Sequence, residues 1–283
     1  MARRNATRAA DALFRARRKV LGRLLPGGPP LGMARRGAMR RLRPVSEDWG
    51  FDRGKPVDRW YLEDFLNRFS RQAGYGAGDI QGRVIEVGGD DYARRFASGD
   101  GTTIDVLHVS AENPKATVVG DLVTGDGVPE NAFDCVICTQ TLHVLYDFQA
   151  AVATLHRMLA PGGVALVTVP GITRSCIPDR DFWGDYWRFT AQGAGRMFSE
   201  AFGPANVRVE TYGNLLTAMG FLQGMAAEEF RDWELKVRDP DYEVLIGIRA
   251  QKPRMSRSWW CQATASAANA TSTPAASSRT AIS

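Results

Sequence analysis

The chain predicts an α/β fold, a mostly parallel sheet with helices on both faces. Three observations carry this. Short apolar runs recur at 83–88 (RVIEVG), 102–109 (TTIDVLHV), 116–122 (ATVVGDL), 132–140 (AFDCVICTQ) and 164–170 (VALVTVP), each the length of a buried strand. Helix-length amphipathic stretches alternate with them, which is the pattern of strands joined by crossover helices. Glycines and acids gather at the ends of the runs, where such sheets hold their ligands.

The elements follow in order. DRWYLEDFLNRFS at 58–70 reads as an amphipathic helix ahead of the sheet. The four runs from 83 to 140 give strands one to four, the third of them short. DFQAAVATLHRMLAPGG predicts a helix from about 147 to 159, closed by Pro161 and Gly162, before the fifth strand. Thr190 is placed to cap a helix running through Phe202. Strands at 207–213 and 242–250 complete the set, with a helical stretch of about 215–236 between them.

Charge divides the chain into three zones. Residues 1–45 hold thirteen arginines or lysines and one acid, Asp11. Residues 254–283 hold three arginines and no acid, which leaves 46–253 at net −10 within a whole chain of +5. The first zone is read as a basic arm carrying a short amphipathic helix (Leu13, Phe14, Leu21, Leu24 and Leu25 against Arg15, Arg18, Lys19 and Arg23) ended by PGGPP. Such an arm suits an anionic membrane surface or nucleic acid, or is a solvated extension with no specific partner. The last zone is low in complexity and is expected to stay outside the fold. The acidic body is the reverse of one built to grip nucleic acid.

Of the four cysteines, Cys135 and Cys138 stand three apart in a strand, so alternation sends them to opposite faces. No second pair at ligand spacing accompanies them, and His108, His143 and His156 do not cluster with them, so no metal site is expected. They read as buried thiols of a reducing compartment. No apolar stretch reaches about 18 residues, the length of a membrane span. No hydrophobic segment of the secretory kind follows the first arginines. Together these place the chain in the cytoplasm, peripheral to a membrane if the arm binds one.

The strand ends carry the candidate site. The first strand ends in Glu86-Val87-Gly88-Gly89-Asp90. Adjacent glycines are not the spaced glycines of a dinucleotide turn, so this stretch alone reads as a cofactor loop or as a plain strand-to-helix turn. Asp105 comes seventeen residues after Gly88 in the second strand, near the spacing at which an acid meets ribose hydroxyls. The third strand runs into Asp121-Leu122, and the fourth into Thr139-Gln140-Thr141-Leu142-His143.

Taken in order, VIEVGG, Asp105, GDL at 120–122 and the block from VPENAFDCVICTQTLHVLYD to LHRMLAPGGVALVTVP resemble the class I S-adenosylmethionine-dependent methyltransferases, in particular the methyltransferase type 11 group. The resemblance covers about 80–250. It implies a Rossmann-like, seven-stranded, mostly parallel sheet, with S-adenosyl-L-methionine as cofactor. It places Glu86, Gly88 and Gly89 at the cofactor's methionine end, Asp105 at its ribose, and Asp121, Leu122 and Gln140 along its nucleoside. Asp90 and Tyr92 stand where later glycines would be expected, Asp90 as a residue able to adopt a left-handed backbone. The short span between Asp105 and Asp121 replaces the usual helix by a loop around Asn113-Pro114. DYWRFT at 185–190 resembles a segment of relatives linked to saccharide modification.

Methyl transfer is an in-line displacement, so catalysis is largely alignment, with a base where the acceptor is a hydroxyl. His143 is the first candidate base and Asp185 the second. Trp183, Tyr186 and Trp187 offer aromatic surface for an acceptor, or seal the edge of the core. Arg188 pairs with an anionic acceptor or with an internal acid. The expected function is methyl transfer to oxygen of a small-molecule or saccharide-linked acceptor. A catalytically inactive methyltransferase-like binding protein and a nucleic-acid methyltransferase using the basic arm are the alternatives. A nicotinamide-dependent oxidoreductase would require a full G-x-G-x-x-G, which is missing.

Overall fold

The computed structural model describes residues 42–70 and 78–254. The chain divides into two units, 1–43 and 44–283, and the fold below belongs to the second. The helix expected in the basic arm, and the tail from 255, lie outside the described residues.

Seven strands form one sheet: β1 Arg83–Val87, β2 Thr103–His108, β3 Val118–Val119, β4 Phe133–Thr139, β5 Leu159–Pro170, β6 Val207–Tyr212 and β7 Leu245–Gln251. Their order is β3-β2-β1-β4-β5-β7-β6. Neighbours from β3 through β5 pair in parallel, and β7 runs antiparallel to both β5 and β6. This is the mostly parallel, Rossmann-like seven-stranded sheet that the sequence predicts. The chain order reverses between β1 and β4, so connections leave in opposite directions there and open a crevice at the carboxyl ends.

Helices cover both faces: α1 Val57–Phe69, α2 Asp91–Phe96, α3 Phe148–Met158, α4 Ile177–Phe182, α5 Ala191–Phe202, α6 Leu215–Gln223 and α7 Asp232–Lys236. Alternation along β4 shows how the core divides. Cys135 and Ile137 pack with Tyr61 and Phe65 of α1 and Phe221 of α6. Val136 and Cys138 pack on the other face with Leu155 of α3 and Phe198 of α5. The two cysteines therefore point apart, as period-two alternation requires, and burial pushes both thiols up. No helix among the described residues is long and apolar enough to cross a membrane.

The cap expected at Thr190 forms, and Asp147 supplies a second that the sequence reading did not name. Asp147 accepts from the Ala150 amide (3.0 Å) at the start of α3, and Thr190 accepts from Gly193 (3.1 Å) at the start of α5. Three boundaries differ from the sequence reading. The strand expected at 116–122 shrinks to Val118–Val119, because the chain curls at Asp121, whose carboxylate accepts from Val123 (2.6 Å) while its amide donates to Asp126 O (3.0 Å). The helix expected at 215–236 breaks into α6, a short 3-10 turn and α7. Gly224 ends α6 at φ 73°, where a Cβ would meet the Ser46 carbonyl at 2.3 Å. Residues 159–163, read as a helix terminus, instead begin β5, with Leu159 paired to Phe133.

Candidate active site

The turn after β1 is built to leave room. Gly88 donates its amide to Leu107 O of β2 (2.9 Å) and adopts φ +89°, a conformation disfavoured once a Cβ is present. A Cβ on Gly88 or on Gly89 would meet nothing within 4 Å, so the turn borders open space. Glu86, buried just below, accepts from the Ala93 amide in the first turn of α2 (2.6 Å), and desolvation raises its carboxyl pKa. Asp90 departs from expectation. It is not left-handed but sits at φ −133° as the residue preceding α2. Its carboxylate pairs with Lys115 Nζ (2.7 Å) and with Arg94, and these bonds hold it below the usual carboxylate range. The turn tolerates Asp90 through those partners, without a strained backbone.

Asp105 does not stand where the spacing puts it. The register aligns Asp105 with Ile85 in mid-strand, and the carboxylate is held by Arg83 Nε (2.8 Å) and the Thr117 hydroxyl (2.8 Å). The carboxyl end of β2 is His108, one residue past the Val87–Leu107 pair and thus level with Gly88. The expected loop does replace a helix after β2, and Asn113 ties it to the turn by donating Nδ2 to Gly88 O (3.2 Å). Beyond β3, Gly120 donates to His108 O (3.0 Å), which brings Asp121 and the buried Leu122 beside the end of β2.

At the end of β4, Gln140 takes φ +48°, a conformation costly for a residue with a side chain, and is pinned by its amide to Thr168 O (3.0 Å). His143 follows in a 3-10 turn, Leu142–Val144, and is 8 % exposed. Its Nδ1 is buried with no hydrogen-bond partner among the described residues. Desolvation, helped by Arg188, lowers its pKa to about 4, so the ring is neutral at physiological pH.

The segment after β5 is tied down by its own side chains. Asp185 and Arg188 form a two-pronged pair (2.6 and 2.9 Å), and Asp185 also accepts from the Cys176 amide (2.9 Å). Asp185 is therefore not a free base: Arg188, in the first place, holds its carboxyl below the usual range, and both oxygens are engaged. Arg188 has its internal acid, and also reaches the Arg174 and Trp187 carbonyls (2.9 and 2.8 Å). Trp187 donates to Tyr146 O (3.1 Å) and packs on Phe148. Trp183 and Tyr186 remain 55 % and 52 % exposed. Tyr146, 72 % exposed, meets Tyr186 edge to face (5.4 Å). The Tyr186 and Trp187 amides both donate to His143 O (2.9 and 3.2 Å), joining this segment to the end of β4.

The structure thus brings Glu86, Gly88, Gly89, Asp121, Leu122, Gln140 and His143 to the carboxyl edge, with Trp183, Tyr186 and Trp187 on the segment after β5. It leaves Asp105 in mid-strand and binds Asp185 to Arg188. Three residues escaped the sequence reading. Tyr146 was legible only as part of an apolar stretch. Arg59 of α1 bears electrostatically on both His143 and Tyr92. His108 carries no role in the sequence reading, and it stands at the strand end where the spacing puts Asp105. A nucleoside-bearing cofactor fits the turn after β1, where the glycines leave space. At the end of β2 the fit differs, because an imidazole stands where a carboxylate was expected.

A family model described as "Methyltransferase domain" matches residues 58–205. A Mycolicibacterium smegmatis protein named "Probable S-adenosylmethionine-dependent methyltransferase" is 30 % identical over 138 residues, 48 % of this chain. That match spans about half (51 %) of the relative's length. Similar solved structures include the carbon methyltransferase CurJ (TM-score 0.47, 14 % identity, 73 % of this chain and 57 % of that one). Another is a phosphoethanolamine N-methyltransferase of Haemonchus contortus in complex with S-adenosyl-L-methionine (TM-score 0.45, 16 % identity, 73 % and 56 %).

Proposed function

The chain belongs to the methyltransferase-domain family, and on that premise we propose that it transfers a methyl group from S-adenosylmethionine to the oxygen of a small-molecule acceptor, saccharide-linked acceptors being the first to test. The observation that carries the site assignment is the open turn at Gly88 and Gly89, at the point where strand order reverses. The bound cofactor supplies an electrophilic methyl on a sulfonium. Gly88 and Gly89 let backbone approach it, Glu86 borders its methionine end, and Asp121, Leu122 and Gln140 lie along its nucleoside. The exposed rings of Trp183, Tyr186 and Tyr146 give the acceptor a flat apolar surface of the kind that stacks on a sugar ring.

His143 is the group left to handle the acceptor's proton. Nδ1 lacks a partner, and an acceptor hydroxyl supplies one. As the acceptor oxygen gains its methyl, the hydroxyl proton passes to Nδ1. The nitrogen is closed to solvent, so Tyr186 and Trp187, whose amides hang on the His143 carbonyl, must shift to admit the acceptor. The test is calorimetric binding of S-adenosylmethionine to the full chain, followed by an acceptor screen with His143→Gln. Binding that persists in the variant while turnover falls about 100-fold fits a base; unchanged turnover removes His143 from the chemistry.

One observation favours a second reading, a methyltransferase-like binding protein without catalysis: the end of β2 lacks the expected acid. Absence of binding at millimolar cofactor would select it. Residues 1–45 are assigned to an anionic partner, a membrane surface or nucleic acid. Salt-sensitive retention on anionic vesicles, compared with DNA and RNA, separates these.

A further inference from the structure

The end of β2 offers a histidine instead of an acid, and the surroundings hold that histidine in place. His108 Nδ1 lies 3.0 Å from both the amide nitrogen and the carbonyl oxygen of Ser110, so this nitrogen is engaged in either tautomer. Nε2 is the nitrogen left for a ligand. The backbone around the ring is fixed on both sides: His108 O accepts from Gly120 (3.0 Å), and the following loop is tied by Asn113 to Gly88 O (3.2 Å). Trp183, at the end of α4, meets the imidazole edge to face (6.1 Å between centroids, 89°). The ring is thereby braced from the segment assigned to the acceptor. Asp105, the only acid within β2, is held by Arg83 and Thr117.

We propose that His108 takes the role of the missing acid: its Nε2 pairs with the sugar hydroxyls of the bound cofactor, with Ser110 and Trp183 fixing the ring. A hydroxyl both donates and accepts, so it pairs with Nε2 in either tautomer. A carboxylate only accepts, and imposes one hydrogen-bond direction on the sugar. His108 is a binding residue here, and Trp183 a positioning residue that links cofactor and acceptor sides. The inference rests on the cofactor reading above.

The experiment is a calorimetric cycle on the full chain. Wild type and His108→Ala are each titrated with S-adenosylhomocysteine and with its 2′,3′-dideoxy form. Wild type is expected to bind the dideoxy ligand about tenfold more weakly, the scale of one hydrogen bond, and His108→Ala to bind both ligands alike. His108→Gln, which restores a polar group of similar reach, is expected to recover most of the discrimination. Thermal unfolding of each variant checks that the fold survives. If His108→Ala discriminates between the ligands as strongly as wild type, the hydroxyls are held elsewhere and the inference is wrong. The same holds if His108→Ala does not fold and wild type binds both ligands equally. If wild type binds neither ligand, the cofactor reading itself fails, which is a distinct result.

Discussion

The turn after β1 and the segment after β5 lie at the same edge of one sheet and are built in opposite ways. The first is defined by what is absent: two glycines with no Cβ, and open space beyond them. The second is defined by side chains in contact, with the Asp185–Arg188 pair at its centre and a chain of rings from Phe189 through Phe148 and Trp187 to Tyr146. An absence of side chains makes a place for backbone to meet a ligand. A clamp of side chains makes a preorganised wall, whose titratable groups are spent on one another. The two candidate bases separate on this ground. Asp185 is consumed by the clamp, whereas His143 is left with an unsatisfied nitrogen.

The largest effect is expected in the clamp. Asp185→Ala removes the partner of a half-buried guanidinium and should lower unfolding free energy by about 3 kcal/mol, with Arg188→Ala comparable and the double variant far from additive. Chemical denaturation of the four proteins measures it; a loss of turnover with unchanged stability would instead return Asp185 to the chemistry.

Next comes His143. Its folded-state pKa of about 4 lies below the ordinary 6.5, so below pH 6.5 the unfolded chain binds more protons than the folded one. The stability this group contributes is complete above pH 6.5 and is lost as pH falls toward about 4, a drop of about 3 kcal/mol. His156, also lowered by burial, adds to the slope. The difference between wild type and His143→Asn therefore isolates the effect, and parallel pH profiles would sink the assignment.

A smaller effect belongs to the turn. Gly88→Ala puts a Cβ on a residue at φ +89° but into open space, so the cost to folding is about 1–2 kcal/mol of backbone strain. Its cofactor affinity should fall by more than about tenfold, because the new methyl occupies the room the ligand needs. Equal affinity would mean the open space is not the cofactor's. The smallest change is expected from Asp105→Ala, whose pair with the exposed Arg83 contributes under about 1 kcal/mol. Binding of S-adenosylhomocysteine should move less than about twofold, in contrast to His108→Ala.

The contrast between the regions also marks how much was legible. Gly88 and Gly89 could be read directly, since a glycine's freedom is a property of the residue. So could the cap at Thr190, which acts on an amide three residues away. Asp105 was misplaced because seventeen positions along the chain do not state where β2 stops. The ladder that aligns Arg83 with Thr103 decides that, and leaves His108 at the edge. The partner of Asp185 was legible only as one of two options for Arg188, since the contacts that close the clamp reach Cys176 and Arg174.

By itself, the sequence determined the class of sheet, the strands that enter it, the two faces of β4 and the separation of a basic arm from an acidic body. These follow from side-chain period, local capping and charge, which act over a few residues. Tertiary structure alone decided which residue stands at the carboxyl end of β2, that the Asp185 carboxylate is paired while His143 Nδ1 is not, and that Trp183 meets His108. Those depend on strand register and on contacts between distant segments, which no local pattern encodes.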